Sequence, residues 1–188
     1  MAATTWQVRG LDRNAPVIDN ARAILRVRIA EYYHYEPIVD DERAMYELHE
    51  LRIAAKRLRY TLELFSDWFG EPGKIEIDRV KSIQEELGNL HDCDVRIAMI
   101  EDELVELAGE QMRELNHRLG VEPEETHRSL TAAALRPPPD DPRRGLIALL
   151  GRQHGARRAA YAAFHDLWQR YAKEGMRADL VRLSRNVQ

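Results

Sequence analysis

The stretch YELHELRIAAKRLRY, residues 46–60, decides what fold to expect for the chain. Its apolar residues recur at helical spacing and predict one face of an amphipathic helix. At 3.6 residues per turn, a set of polar residues forms a stripe about 100° wide directly beside that face. The members of this stripe are His49, Arg52, Lys56, Arg59 and Tyr60.

The position of this stripe favours a binding function. A charged face that only keeps a helix soluble usually lies opposite the apolar face and mixes its signs. Here three cations follow one another with no acid three or four residues away before Glu63, so they repel one another. A bound anion would relieve the repulsion. Acids of a neighbouring helix, such as Glu85 or Asp92, would do the same, and both interpretations stay open.

A second stripe follows on the next predicted helix. Lys81, Gln84, Gly88 and His91 share one side, beside an apolar face formed by Val80, Ile83, Leu87 and Leu90. A glycine inside a helix costs about 1 kcal/mol relative to alanine, so Gly88 predicts the close approach of another backbone or of a ligand. Two such helices can pack with a basic groove between them. A weaker third set on the last helix consists of His154, Arg157, Arg158, Tyr161, His165 and Trp168.

Outward from these stripes, the pattern predicts helices and no strand. The first helix begins near Asn14–Pro16 and ends before Pro37, and the second runs from Asp40 or Asp41 to Phe69. Further helices are predicted over 75–90, from Asp92 or Asp94 to Leu119, over 123–135 and from Arg144 to about Tyr171. The predicted fold is all-α, an antiparallel four-helix bundle unit with an additional long C-terminal helix. Its boundaries are a flexible N-terminus (1–13), a helical domain (14–175) with a linker near 136–143, and a tail (176–188).

The composition agrees with a helical protein that has a real core. Of 188 residues, 44% are hydrophobic and 32% are charged. Cys93 is the only cysteine, which fits a reducing compartment, and we expect a cytoplasmic protein without signal peptide or membrane span. The net charge of −4 hides a strong segregation, because residues 101–125 carry nine acids whereas residues 143–188 have a local charge of +7.

The two principal stripes resemble a known family. His49-x-x-Arg52-x-x-x-Lys56-Arg57-Leu58-Arg59-Tyr60, followed by Gln84-x-x-Leu87-Gly88-x-x-His91-Asp92-x-x-Val95, is similar to the CHAD domain, the conserved histidine α-helical domain. The resemblance covers about residues 17–168. It implies an all-helical protein that binds inorganic polyphosphate, associates with polyphosphate granules and often accompanies CYTH triphosphatase domains. Family members usually contain two copies of the four-helix unit, whereas this chain has one clear copy.

The resemblance assigns roles to single residues. His49, Arg52, Lys56, Arg57 and Arg59 correspond to the basic positions of the signature helix, and Lys81 and His91 to basic positions of the second motif. Asp92 matches the acid of that motif and is interpreted as a helix cap or a clamp on an arginine. The groove would be completed either by the last helix or by a second subunit in a homodimer. The predicted ligand-binding residues are His49, Arg52, Lys56, Arg57, Arg59, Tyr60, Lys81, Gln84, His91, Arg157 and Arg158.

Catalytic interpretations find little support in the sequence. It contains no phosphate-binding loop of the G-x-x-x-x-G-K-[ST] type and lacks the alternating Glu pattern of CYTH triphosphatases. His91-Asp92 invites a metal phosphohydrolase interpretation, but the cations beside His49 would repel a divalent metal. We therefore expect no enzyme, metal or cofactor. We expect a polyphosphate or other polyanion binder, with nucleic-acid binding and a structural adaptor as the alternatives.

Overall fold

The computed structural model describes residues 5–134, 136 and 141–185, and every regular element in these ranges is helical. The all-α fold class is therefore confirmed. The helices are α1 (Val17–Tyr33), α2 (Met45–Leu64), α3 (Ser66–Val121), α4 (Glu124–Ala134), α5 (Pro142–Lys173) and α6 (Met176–Arg185), with a 3₁₀ turn at Glu36–Ile38. None of the described helices combines the length and apolar character needed to cross a membrane.

The first helix follows the prediction and the second is shorter than predicted. α1 begins directly after Pro16, which is the N-cap residue and has an extended ψ of 142°. α2 ends at Leu64 and not at Phe69, because Phe65 leaves the helical conformation with φ −109° and ψ 18°. The chain then places both Phe65 and Phe69 in the core.

One continuous helix replaces the two that were predicted on either side of Asp92. α3 passes through His91 and Asp92 without interruption, and no glycine or proline lies between Gly88 and Gly109 to end it. The interruption occurs earlier, at Gly70, whose φ of 58° and ψ of −152° favour glycine. Asp92 is thus an exposed residue inside a helix, and its predicted role as a helix cap is wrong.

The described residues form two compact units. The first unit contains the chain up to His91 and again from Ala159, and it holds a continuous hydrophobic core. Every helical segment of this unit contributes to the core, including the segment from 176 for which a tail was expected. α6 buries Met176, Leu180 and Leu183, and it packs on α1.

The second unit spans residues 92–158. It contains the later part of α3, α4 and the beginning of α5. Arg157 pairs with Asp94 near one end of these segments and Arg143 with Gln111 farther along, so α3 and α5 run antiparallel here. Residues 137–140 of the expected linker lie outside the described residues, and α5 begins at Pro142, two residues after them.

Candidate anion-binding site

The stripe predicted on α2 lies beside the core because the two residue sets occupy neighbouring sides of one helix. Leu51, Ala55, Leu58 and Leu62 are completely buried. Next to them, His49, Arg52 and Arg59 are half-buried, and Lys56 is exposed. The cations are thus anchored by buried neighbours while part of each side chain remains at the surface, as expected for amphipathic side chains at the edge of a core.

The second stripe lies directly against the first. His49 Nδ1 is 3.3 Å from His91 Nδ1, and the centroids of the two rings are 4.5 Å apart. A Cβ atom added to Gly88 would lie 3.8 Å from Arg52 Nε. These two contacts order the stripes antiparallel to each other. We call this surface the paired stripe; it consists of His49, Arg52, Lys56 and Arg59 of α2 and Lys81, Gln84, Gly88 and His91 of α3.

Gly88 approaches a side chain and no backbone. The sequence predicted that either another backbone or a ligand comes close to Gly88. The structure instead places the Arg52 guanidinium group over this position. A side chain larger than alanine at position 88 would cover Arg52. The glycine therefore keeps the guanidinium group accessible between the two helices.

Several polar atoms of the paired stripe lack a partner within the described part of the chain. Arg52 Nε, Arg59 Nε and Gln84 Oε1 are buried and accept or donate no hydrogen bond there. Arg59 Nε lies 3.6 Å from Glu63 Oε1, whereas neither Arg52 nor Lys56 forms an ion pair with any described residue. A buried guanidinium N–H without an acceptor costs free energy. A bound anion would offset this cost by accepting a hydrogen bond from the N–H.

Lys81, and Tyr60 beside the paired stripe, add weaker interactions. Lys81 Nζ lies 4.0 Å from Glu85 Oε1, and both side chains are more than half exposed, so this pair neutralises Lys81 only weakly. Tyr60 forms cation–π interactions with two of the cations. The Arg59 guanidinium carbon lies 4.9 Å from the centroid of the Tyr60 ring, and Lys56 Nζ lies 5.7 Å from it. Tyr60 thus helps to orient two cations of the stripe.

A comparison with protein families identifies the segment that contains this surface. The family model described as CHAD domain matches residues 5–101, just over half of the chain. The chain belongs to the CHAD domain family. No curated protein and no solved structure matches it. The match includes both halves of the paired stripe and ends well before residue 168, to which the resemblance in the sequence extended, so α4, α5 and α6 of this CHAD domain lie outside it.

Arg57, a basic position of the CHAD signature, points away from the paired stripe. Its Nη1 donates to Glu31 Oε1 at 2.7 Å, and Arg28 donates to the other oxygen of the same carboxylate. Arg28 Nη2 also donates to the Trp6 carbonyl at 2.8 Å. Arg57 therefore belongs to a buried ion network that holds the N-terminal segment and α2 against α1. The i,i+3 spacing of Arg28 and Glu31 is typical of an ion pair on one helix, but nothing in the sequence linked Arg57 to this pair.

The third predicted stripe does not form one surface in this CHAD domain. Arg157 is only 8% exposed, and its Nε donates to Asp94 Oδ1 at 2.6 Å within the second unit. Asp94 therefore clamps an arginine, the role that was proposed for Asp92 without naming the arginine. Arg158 is exposed in the same unit.

Three members of that third set, Tyr161, His165 and Trp168, lie in the first unit and have structural contacts. The Tyr161 hydroxyl donates to the Val39 carbonyl at 2.9 Å, and His165 Nε2 lies 2.8 Å from Asp40 Oδ1. Trp168 is a core residue that contacts Tyr32. These contacts explain the helical spacing without a ligand.

The histidines of the CHAD motif are arranged as a pair and not as part of a metal centre. Among the described residues, no group of three or more His, Cys, Asp or Glu side chains is arranged to hold a metal ion. A neutral imidazole carries one N–H and one acceptor nitrogen, so His49 and His91 can share one hydrogen bond when a single Nδ1 is protonated. With both rings protonated, two donors would face each other, and an anion nearby would offset their repulsion.

Proposed function

We propose that this CHAD domain binds inorganic polyphosphate, or a closely related polyanion, at the paired stripe. The family is associated with polyphosphate binding in general, and its members are generally non-catalytic helical binding domains. The observation that carries the proposal is the partly buried Arg52, which has an unpartnered Nε beside the uncompensated Lys56. If the fold itself used these cations as structural ion pairs, carboxylates would lie next to them, as Glu31 lies next to Arg57.

The chemistry of the stripe suits a chain of phosphates. Arg52 and Arg59 offer planar forks for pairs of non-bridging oxygens, and Lys56 and Lys81 act as point charges. The His49–His91 pair adds a proton-dependent contribution, because a second proton turns both rings into donors toward an anion. We therefore expect the affinity for an anion to be higher when both rings are protonated. We expect binding without turnover.

The first test compares three proteins across a salt series. Long-chain polyphosphate is titrated into the wild type, into an Arg52→Gln/Lys56→Gln/Arg59→Gln variant and into an Arg9→Gln/Arg13→Gln/Lys173→Gln control. The control cations are exposed, lie on other elements and form no ion pair with described residues. For the wild type and the control, we expect log affinity to fall linearly with log salt. The stripe variant should bind much more weakly, with a slope smaller by about 2 to 3, since each neutralised phosphate contributes about 0.7 to 0.9.

The same proteins separate the proposal from its alternatives. A flat salt dependence, or equal losses in the stripe variant and the control, would contradict a polyphosphate site at the paired stripe. A structural adaptor would need Arg52 and Arg59 for its fold, so the stripe variant would lose stability, whereas a ligand site predicts equal or greater stability of the free protein. Competition with RNA tests nucleic-acid binding, because polyphosphate should displace RNA at a far lower phosphate concentration.

We extend the same proposal to the partners that the family suggests. These are granule proteins, a CYTH-type triphosphatase and a second copy of the chain that would complete a groove in a cytoplasmic complex. Light scattering with and without polyphosphate measures the mass, and a change from one to two copies on ligand addition would support the homodimer.

A further inference from the structure

A second basic surface lies in the first unit, on elements other than the paired stripe. The N-terminal segment, α1 and α6 enclose a cavity of about 380 Å³, within the usual size range of sites for small molecules. The side chains that give it its chemistry are Trp6, Arg26, Tyr33, His34, Arg177 and Arg185. Because α6 lies beyond residue 101, the part of this lining that α6 provides is outside the segment that the CHAD family model matches.

One side of the cavity is an anchored aromatic wall. The Trp6 carbonyl accepts a hydrogen bond from Arg28 Nη2 at 2.8 Å, and the Trp6 amide donates to Glu31 Oε1 at 3.4 Å. These bonds fix the backbone of an otherwise irregular segment. The indole lies 5.4 Å from the His34 ring, centroid to centroid, and Trp6 remains 39% exposed. An exposed ring on a fixed backbone is suited to stacking against a planar ligand.

The other side of the cavity carries guanidinium groups. Arg26 Nη1 donates to the Ser184 carbonyl at 3.3 Å, which leaves its other donors available. Arg177 pairs with Glu36 and lies over the Tyr33 ring, so its charge is largely satisfied. Arg185 forms no ion pair or hydrogen bond with any described residue. No carboxylate is among the described residues that line the cavity, so it is positive in a chain whose net charge is −4.

We propose that this cavity binds a nucleotide, with the base against Trp6 and the phosphates on Arg26 and Arg185. Inorganic polyphosphate would use only the arginines, since it has no ring to stack. A nucleic-acid strand would need a continuous basic track with several stacking rings, whereas this cavity offers one indole platform and two available guanidinium groups. A single nucleoside phosphate matches both the volume and the two kinds of contact. The inference is independent of polyphosphate binding at the paired stripe.

Isothermal titration with three probes tests the ligand class. Here and for the variants below, the full chain also carries Arg52→Gln/Lys56→Gln/Arg59→Gln, because ATP and tripolyphosphate would otherwise bind through their phosphates at the paired stripe as well. ATP has both a base and phosphates, tripolyphosphate has only phosphates, and adenosine has only the base and sugar. We expect ATP to bind about tenfold more tightly than either of the other two, because a base stacked on an aromatic side chain is worth about 1–3 kcal/mol. ATP that binds no more tightly than tripolyphosphate, or that does not bind at all to the folded protein, overturns the proposal.

Variants test the location. Trp6→Ala should weaken ATP binding about tenfold and leave tripolyphosphate binding unchanged, whereas Arg185→Gln should weaken both. Arg185 is exposed and has no partner among the described residues, so this variant keeps the fold even if Trp6→Ala does not. Arg13→Gln is the control for loss of one exposed charge. The proposal is overturned if adding Arg185→Gln to this background leaves ATP binding unchanged, or if ATP binds the wild type and not the Arg52→Gln/Lys56→Gln/Arg59→Gln protein.

Discussion

Glu76 is a carboxylate that the fold buries at a cost. It is 2% exposed, and only one of its oxygens has a hydrogen-bond donor, Arg79 Nη1 at 2.8 Å. Burial raises the pKa of Glu76 from its ordinary 4.5 to about 7, with Arg79 opposing this shift and Asp179 adding to it. Between these two pH values, the folded protein holds a proton that the unfolded chain has released. The stability of the fold therefore falls as the pH rises from about 4.5 to about 7.

Glu76→Gln should remove this pH dependence. The amide stays neutral at all pH values and can still accept a hydrogen bond from Arg79, which also keeps its partners Glu174 and Asp179. The free energy of unfolding, measured with urea between pH 5 and pH 8, should fall more steeply in the wild type, by on the order of 3 kcal/mol over the whole interval. Parallel pH profiles of the two proteins would show that Glu76 is not the titrating group.

Two glycines of α3 show how one element meets different neighbours along its length. A Cβ atom at Gly73 would lie 2.4 Å from the Cβ of Phe69, which is closer than real atoms approach. A Cβ atom at Gly88 would meet only Arg52 Nε, at an ordinary 3.8 Å. Gly73 is therefore required by packing between two turns near the kink, whereas Gly88 matters for what it leaves accessible.

The same substitution should consequently have opposite effects at the two positions. Gly88→Ala should stabilise the protein by about 0.5–1 kcal/mol, since alanine is the better helix former. Gly73→Ala should destabilise it by about 1–3 kcal/mol, because Phe69 must move. Thermal and urea unfolding of both variants measure this difference. If Gly73→Ala stabilised the protein instead, the backbone near the kink would have to shift away from Phe69 at little cost in free energy. Gly88→Leu extends the series, and it should reduce polyphosphate binding by covering Arg52.

At the scale of the molecule, the last described helix completes the core of the first unit. Leu180 of α6 is completely buried in the core to which α1 and α2 contribute, although more than a hundred residues separate α6 from α2. Leu180→Ala should therefore cost about 2–5 kcal/mol of unfolding free energy. Leu64→Ala is the matched control, because Leu64 is 70% exposed and should lose well under 1 kcal/mol. Equal urea midpoints for the two variants would place α6 outside the cooperative fold.

Local periodicity was enough to predict most of the helical segments and the residues of both polar stripes. Whether a residue lies beside the apolar face depends only on its position in the helical repeat, so both halves of the paired stripe were visible before any tertiary contact was known. Where the predicted helix boundary at Asp92 failed, the reason was also local. Asp92 has the character of a cap residue, but the chain around it contains no helix breaker, and α3 continues through it.

The all-α fold, the two basic stripes and the family all follow from local features of the sequence. Which cations are available to a ligand depends on tertiary packing. Arg52 and Arg57 lie on the same helix in the same basic run, yet Arg57 meets Glu31 of α1 and Arg52 meets Gly88 of α3. The difference arises because the sides of one helix face different neighbours, and the identity of those neighbours depends on how distant segments pack. For the same reason, no local pattern predicted that α6 and the N-terminal segment would enclose a second basic cavity.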